Sequence, residues 1–71
     1  MIIVTKNSTY EFDSENSRYR KIKPECGEWK VYYGFASELK NGVKAKIVRD
    51  DNRTTITSII CEIQEDDEDE V

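Results

Sequence analysis

The side chains with the charge or reactivity to do chemistry fall into three groups. They are two cysteines, Cys26 and Cys61; a basic run, Arg18, Arg20, Lys21 and Lys23, followed by Lys30 and Tyr32; and an acidic run, Glu65, Asp66, Asp67, Glu68, Asp69 and Glu70. The chain has no histidine, which removes the Ser-His-Asp triad, the Cys-His nucleophile pair, the imidazole proton shuttle and the Cys2His2 zinc site together. The two cysteines match neither a CxxC redox pair nor a four-ligand metal pattern. Cys61, beside Ile60 and near Ile63, reads as a small core hydrophobe, whereas Cys26, beside Gly27 in a loop, reads as an exposed thiol with no base to activate it. Asp50, Asp51 and Asn52 begin like a calcium loop. Thr55 and Cys61, however, stand where that motif needs its glycine and its bidentate glutamate. The expectation is a non-enzymatic protein with no metal, no cofactor and no catalytic residue.

Binding chemistry is better represented. Arg18, Arg20, Lys21, Lys23 and Lys30 could neutralise phosphates while a neighbouring ring stacks on a base. Tyr32 is the ring that alternation sets opposite Trp29, Val31 and Tyr33, beside Lys30. These six residues are the candidate partner-binding set. The structural alternative is a solvated strand that uses its charges to prevent association between sheets. Six of the fifteen acidic residues sit in the terminal run, so residues 1–64 carry nine acids against eleven bases, a net of about +2 within a chain whose total is −4. The acidic run could engage a basic partner or the protein's own basic face. A block of like charges also keeps a small protein soluble without packing.

The elements that must position these groups read as strands. Tyr10 and Phe12 alternate with Thr9, Glu11 and Asp13, in a strand expected to run on from Ile2–Thr5. A polar turn follows at residues 13–17, and Arg18–Lys23 alternates imperfectly, with Tyr19 and Ile22 on opposite faces, as a bulge or an edge position would produce. Pro24-Glu25-Cys26-Gly27 reads as a loop. Trp29, Val31, Tyr33 and Phe35 occupy every second position and are expected to form the centre of the core. Asn41-Gly42 reads as a two-residue hairpin turn into Val43, Ala45 and Ile47. Ala36–Lys40 is either extended or one helical turn ended by Gly42. Asp50-Asp51-Asn52 is a turn, and Thr54–Ile63 is a strand whose phase slips between Ile56 and Ile59. The fold class is all-β, with about five short antiparallel strands in a curled sheet or SH3-like partial barrel. Residues 1–64 form the small β domain and residues 65–71 a disordered acidic tail.

With 71 residues, such a domain buries only about 60% of its unfolded surface, and few side chains can be spared to build a deep cleft. Surface binding is the function a chain of this size supports most readily. No segment is long enough to span a bilayer, and Met1-Ile2-Ile3-Val4 is followed directly by Thr5-Lys6-Asn7 rather than by a longer apolar leader, so a cytoplasmic protein with reduced thiols is expected. The sequons at Asn7 and Asn52 then carry no weight.

The run Thr5-Lys6-Asn7-Ser8-Thr9-Tyr10-Glu11-Phe12-Asp13, the basic Arg18-Tyr19-Arg20, Gly27-Glu28-Trp29 and Thr57-Ser58-Ile59 resemble a layout found in small uncharacterised β proteins encoded by bacteriophages and prophages. That resemblance implies a bacterial or viral intracellular setting, in which small acidic-tailed proteins bind and block host proteins. It assigns no residue a role. The expected function is therefore binding of a host protein, for regulation or counter-defence, through an exposed sheet edge or aromatic surface; the alternative is nucleic-acid or nucleotide binding. Both a monomer and a homodimer joined through an open edge are consistent with the sequence.

Overall fold

Alternating β-branched and aromatic residues between polar turns fold here into a closed ring of strands. The computed structural model describes residues 1–50 and 52–65. Six strands follow one another: β1 (Ile2–Thr5), β2 (Thr9–Asp13), β3 (Arg18–Lys23), β4 (Lys30–Phe35), β5 (Lys44–Arg49) and β6 (Thr54–Gln64), with a short 3-10 turn at Ser14–Asn16. Each strand pairs antiparallel with the next, and β6 returns to pair with β1, closing the barrel. Strand count is thus six rather than five, and closure replaces the partial barrel. The difference arises at Lys6–Ser8. Instead of one continuous strand from Ile2 to Asp13, the chain reverses there, with Thr5 N–H donating to Ser8 O at 2.7 Å and Ser8 N–H donating to Thr5 Oγ1 at 3.1 Å. The Thr5 hydroxyl makes a turn that contains neither glycine nor proline.

Six strands close only if the sheet bends sharply, and four register shifts supply the bending. On β3, Ile22 is the extra residue between the pairs Tyr10↔Lys21 and Thr9↔Lys23, which accounts for the imperfect alternation there. On β4, Tyr33 is extra between Tyr32↔Arg49 and Gly34↔Val48. On β6, one shift lies between Ile56 and Ile59, where the phase slip was expected, and a second leaves Cys61 unpaired between Ile60 and Glu62. Alternation along β6 consequently runs inward at Thr57 and Ile60 and turns Cys61 out. That residue is exposed, contrary to its expected place in the core. At the first β6 shift, Thr57 Oγ1 accepts the Ala45 N–H at 3.1 Å, so the side chain replaces the missing ladder partner.

The β4 bulge also inverts the expected core. Tyr32 is buried at 6% exposure, while Tyr33 is 68% and Val31 43% exposed. Trp29 lies outside the ring, and only Phe35, rephased past the bulge, packs against the core. Gly34 permits this rephasing with φ of +140°, a conformation that L side chains rarely adopt. Tyr32 joins Phe12 and Tyr19 because the ring turns the inner faces of β2, β3 and β4 toward one interior: Phe12 and Tyr19 stack at 5.4 Å, and Tyr32 meets them edge-on at 5.2 and 5.8 Å. Ile3, Ala45, Ile47 and Ile60 complete the core from β1, β5 and β6. The connection from β4 to β5 is a long irregular loop, neither helical nor extended over Ala36–Lys40, and not a two-residue hairpin. Gly42 takes a positive φ there but Asn41 does not. Leu39 and Val43 of this loop pack on the core with Met1, Phe35 and Ile63, plugging one end of the barrel with apolar groups.

Candidate functional site

Three surfaces stand out on the closed ring. The first is the charged outer face of β2 and β3. Directly opposed pairs in the ladder, Glu11↔Arg20 and Asp13↔Arg18, become ion pairs, each with a guanidinium Nε to carboxylate distance of 3.0 Å. The guanidinium carbons of Arg18 and Arg20 also lie 4.3 and 4.4 Å from the Trp29 ring centroid. Cation–π contact of this kind contributes about 0.5–1 kcal/mol at exposed sites. It fastens the residue preceding β4 onto β3, where the ladder consists of only Arg18↔Val31 and Tyr19↔Lys30. Hydrogen bonds from Asn16 and Arg18 hold the Asp13 carboxyl below its ordinary value. Burial pushes the Tyr32 phenol above its own, and the negative charge of Asp13 adds to the effect.

The second surface is the barrel end opposite the apolar plug. Period two along each strand continues the inward series of core residues to this mouth: Tyr19 is followed by Lys21, Ile47 by Arg49, and Tyr32 is preceded by Lys30. These three cations, with Tyr10, Tyr19 and Thr55, line a cavity of about 420 Å³. Pro24–Glu28 forms one wall, tied down by Gly27 N–H donating to Lys21 O at 2.7 Å. Glu25 and Glu28 contribute carboxylates to that wall, and Arg20, already paired with Glu11, completes the basic side. Arg49 Nε is buried and has no hydrogen-bond partner among the described residues.

The third is the outer face of β4, β5 and β6. Val31 and Tyr33 on β4 and Ile56 and Ile59 on β6, the latter pair 58% and 44% exposed, are the large exposed hydrophobics of the domain. β5 between them presents Val48, Lys46 and Lys44, with Lys46 opposite Ile56 and Lys44 opposite Ile59. Lys40 and Val43 extend the basic and apolar character beyond the strand.

The six candidate partner-binding residues therefore do not share one face. Arg18 and Arg20 are occupied by carboxylates and by Trp29, Lys21 and Lys30 turn to the barrel mouth, and Lys23 lies exposed at the end of β3. Tyr32 is a correction: its ring lies inside the aromatic core and presents no stacking surface. Arg49 falls outside that candidate set, and its parity with Ile47 is the sequence signal that it turns to the mouth. Of the acidic run, Glu65 is exposed, and Asp66, Asp67, Glu68, Asp69 and Glu70 lie outside the described residues. Ring closure leaves no strand with a wholly unpaired edge among the described residues, although the β3–β4 ladder is limited to two residue pairs. Among the described residues no helix is long and apolar enough to cross a membrane, and no cluster of three or more His, Cys, Asp or Glu could hold a metal ion. The chain matches no protein-family model, no curated protein and no solved structure.

Proposed function

We propose that the chain is a non-enzymatic binding protein that engages a protein partner through the outer face of β4–β6. The observation that carries this reading is the exposure of Val31 and Tyr33 on β4 and of Ile56 and Ile59 on β6 in so small a domain, with the lysines of β5 between the two strands. Each of these side chains gains about 1.5–3 kcal/mol when fully covered, and a centre of aromatic and aliphatic anchors within a charged rim is the usual anatomy of a protein interface. Lys40, Lys44 and Lys46 fit a partner segment that mixes apolar side chains with carboxylates. The resemblance noted above supports reading it as a phage- or prophage-encoded cytoplasmic factor acting on a host protein, in regulation or counter-defence. The acidic run 65–70 serves in this reading to keep the protein soluble.

The test places a photo-crosslinking amino acid at Tyr33 in one preparation of the full chain and at Glu15 in another, each exposed to nuclease-treated bacterial lysate. A single host protein crosslinked from position 33 alone, and lost when Ile56→Lys is added, supports the proposal. Equal labelling from both positions, or labelling unaffected by Ile56→Lys, overturns it.

A further inference from the structure

The barrel mouth carries chemistry that the apolar face does not use. The two ends of the ring are built differently: one is plugged by Met1, Phe35, Leu39, Val43 and Ile63, while the other continues the core into Lys21, Lys30 and Arg49. If the mouth were only a barrel rim, its inward positions would be free to carry apolar side chains like those of the opposite end. Instead they carry cations that form no ion pair among the described residues. Arg49 Nε is the sharpest feature. A buried guanidinium N–H without an acceptor is costly, and while Arg49 Nε is closed to solvent as the side chain stands, rotation of this lining residue toward an oxyanion in the cavity would satisfy it.

We infer that the barrel mouth is a binding site for a small phosphate monoester carrying an aromatic ring, the chemistry of a nucleoside monophosphate. Arg49 receives the phosphate oxygens in the planar fork that suits them, and Lys21 and Lys30 supply the remaining countercharge. Tyr10, half-buried at the mouth, offers ring surface and a hydroxyl for the organic part, while Tyr19, buried in the core, lines the floor. A volume of about 420 Å³ lies within the usual range of small-molecule sites, about 300–1,000 Å³. Glu25 and Glu28 decide between a single phosphate group and a nucleic-acid backbone. On the Pro24–Glu28 wall they repel a polyanion, yet they can accept hydrogen bonds from sugar hydroxyls or base amino groups of a ligand whose only charge is one phosphate. The total charge of −4 acts in the same direction. This site is independent of the protein-binding face.

The experiment titrates the isotope-labelled full chain, observed by backbone amide NMR, with four probes: inorganic phosphate, adenosine monophosphate, adenosine, and a short oligonucleotide without terminal phosphates. The expected result is saturable binding of the monophosphate, at least about tenfold tighter than inorganic phosphate or the nucleoside, with shifts centred on Tyr10, Lys30 and Arg49. Arg49→Gln should weaken it about tenfold or more, the effect of removing one charge-assisted hydrogen bond, and Lys46→Gln should leave it unchanged. Because Arg49 is partly buried, Lys30→Gln at an exposed position repeats the test without risk to folding. An oligonucleotide that binds as tightly as the monophosphate, inorganic phosphate that matches it, no saturation by any probe at millimolar concentration, or binding indifferent to both mouth variants would each overturn the inference.

Discussion

Tyr32 and Tyr33 are adjacent and chemically identical, yet the ring buries one to 6% exposure and leaves the other at 68%. Replacing each with alanine isolates the effect of placement. Tyr32→Ala removes a ring packed within 5.2 Å of Phe12, 5.7 Å of Phe35 and 5.8 Å of Tyr19. Aromatic-to-alanine changes in cores cost about 3–5 kcal/mol. A chain of this length has a total stability of about 4–10 kcal/mol at 0.05–0.15 kcal/mol per residue, so Tyr32→Ala should lose most of it. Tyr33→Ala removes a ring that solvent already reaches, and surface changes of that kind fall within about 0.5 kcal/mol. Urea unfolding followed by far-ultraviolet circular dichroism measures both. With a slope near 1 kcal/mol/M for a small domain, the Tyr32 midpoint should fall by about 3 M or the variant should be unfolded in buffer, and the Tyr33 midpoint should move by about 0.5 M or less. Tyr32→Leu, which refills part of the cavity, should recover a measurable transition. The reverse ranking, with Tyr33→Ala the damaging change, would show that the alternation Trp29, Val31, Tyr33 faces the core after all and would refute the β4 bulge.

Further expectations concern the bulges, the charged face and the thiols. Gly34→Ala meets no atom within 4 Å of the new Cβ but must hold φ at +140°, so it should cost about 1–3 kcal/mol by backbone strain alone, read as a lowered unfolding midpoint with unchanged slope. Thr57→Val keeps shape while leaving the Ala45 N–H without its acceptor, and should cost about 1–3 kcal/mol in the same assay. Because the Asp13 carboxyl lies below its ordinary value of 3.8 in the folded chain, its contribution to stability is present above that value and is lost as pH falls through the folded one. Asp13→Asn should therefore flatten the acid limb of stability against pH below about 4, measured by thermal melting across that range. Cys26 and Cys61 are both exposed, and both thiols of the native protein should react with a disulfide reagent without denaturant. Protection of Cys61 would return it to the core and remove the bulge between Ile60 and Glu62.

Closure of the ring changes the terms on which this protein can bind anything. An open sheet offers its unpaired N–H and C=O groups as a template for a partner strand, whereas here that capacity is spent on the β1–β6 ladder. In the two readings proposed above, recognition falls to side chains at places of opposite character. The β4–β6 face offers apolar area within a lysine rim, and the mouth offers directed positive charge against rings. Raising ionic strength should weaken contacts at the mouth more than those at the apolar face.

The sequence by itself determined that the domain is β-rich, that its chain leaves the strands near residues 13–17, 24–27 and between Arg49 and Thr54, and that the phase of the last strand slips after Ile56. These are local properties: period-two alternation, turn-forming residues and β-branched content act within a few positions of one another. It also bounded the chemistry through the absence of histidine and the lack of any metal-ligand spacing. Only the tertiary structure decided which side of β4 faces inward. Alternation defines two faces but not which one is buried, and the choice went to Tyr32 because Phe12 and Tyr19 from two other strands were there to receive it, while Trp29 found two arginines outside. The turn at Lys6–Ser8 carries no glycine or proline signal because a threonine hydroxyl makes it, and Cys61 left the core because the shift between Ile56 and Ile59, set by pairing with β5, turned Ile60 inward and its neighbour out. The assembly of Lys21, Lys30 and Arg49 at one mouth has the same origin. These residues share a site because β3, β4 and β5 lie side by side, with Lys30 opposite Tyr19 and Arg49 opposite Tyr32.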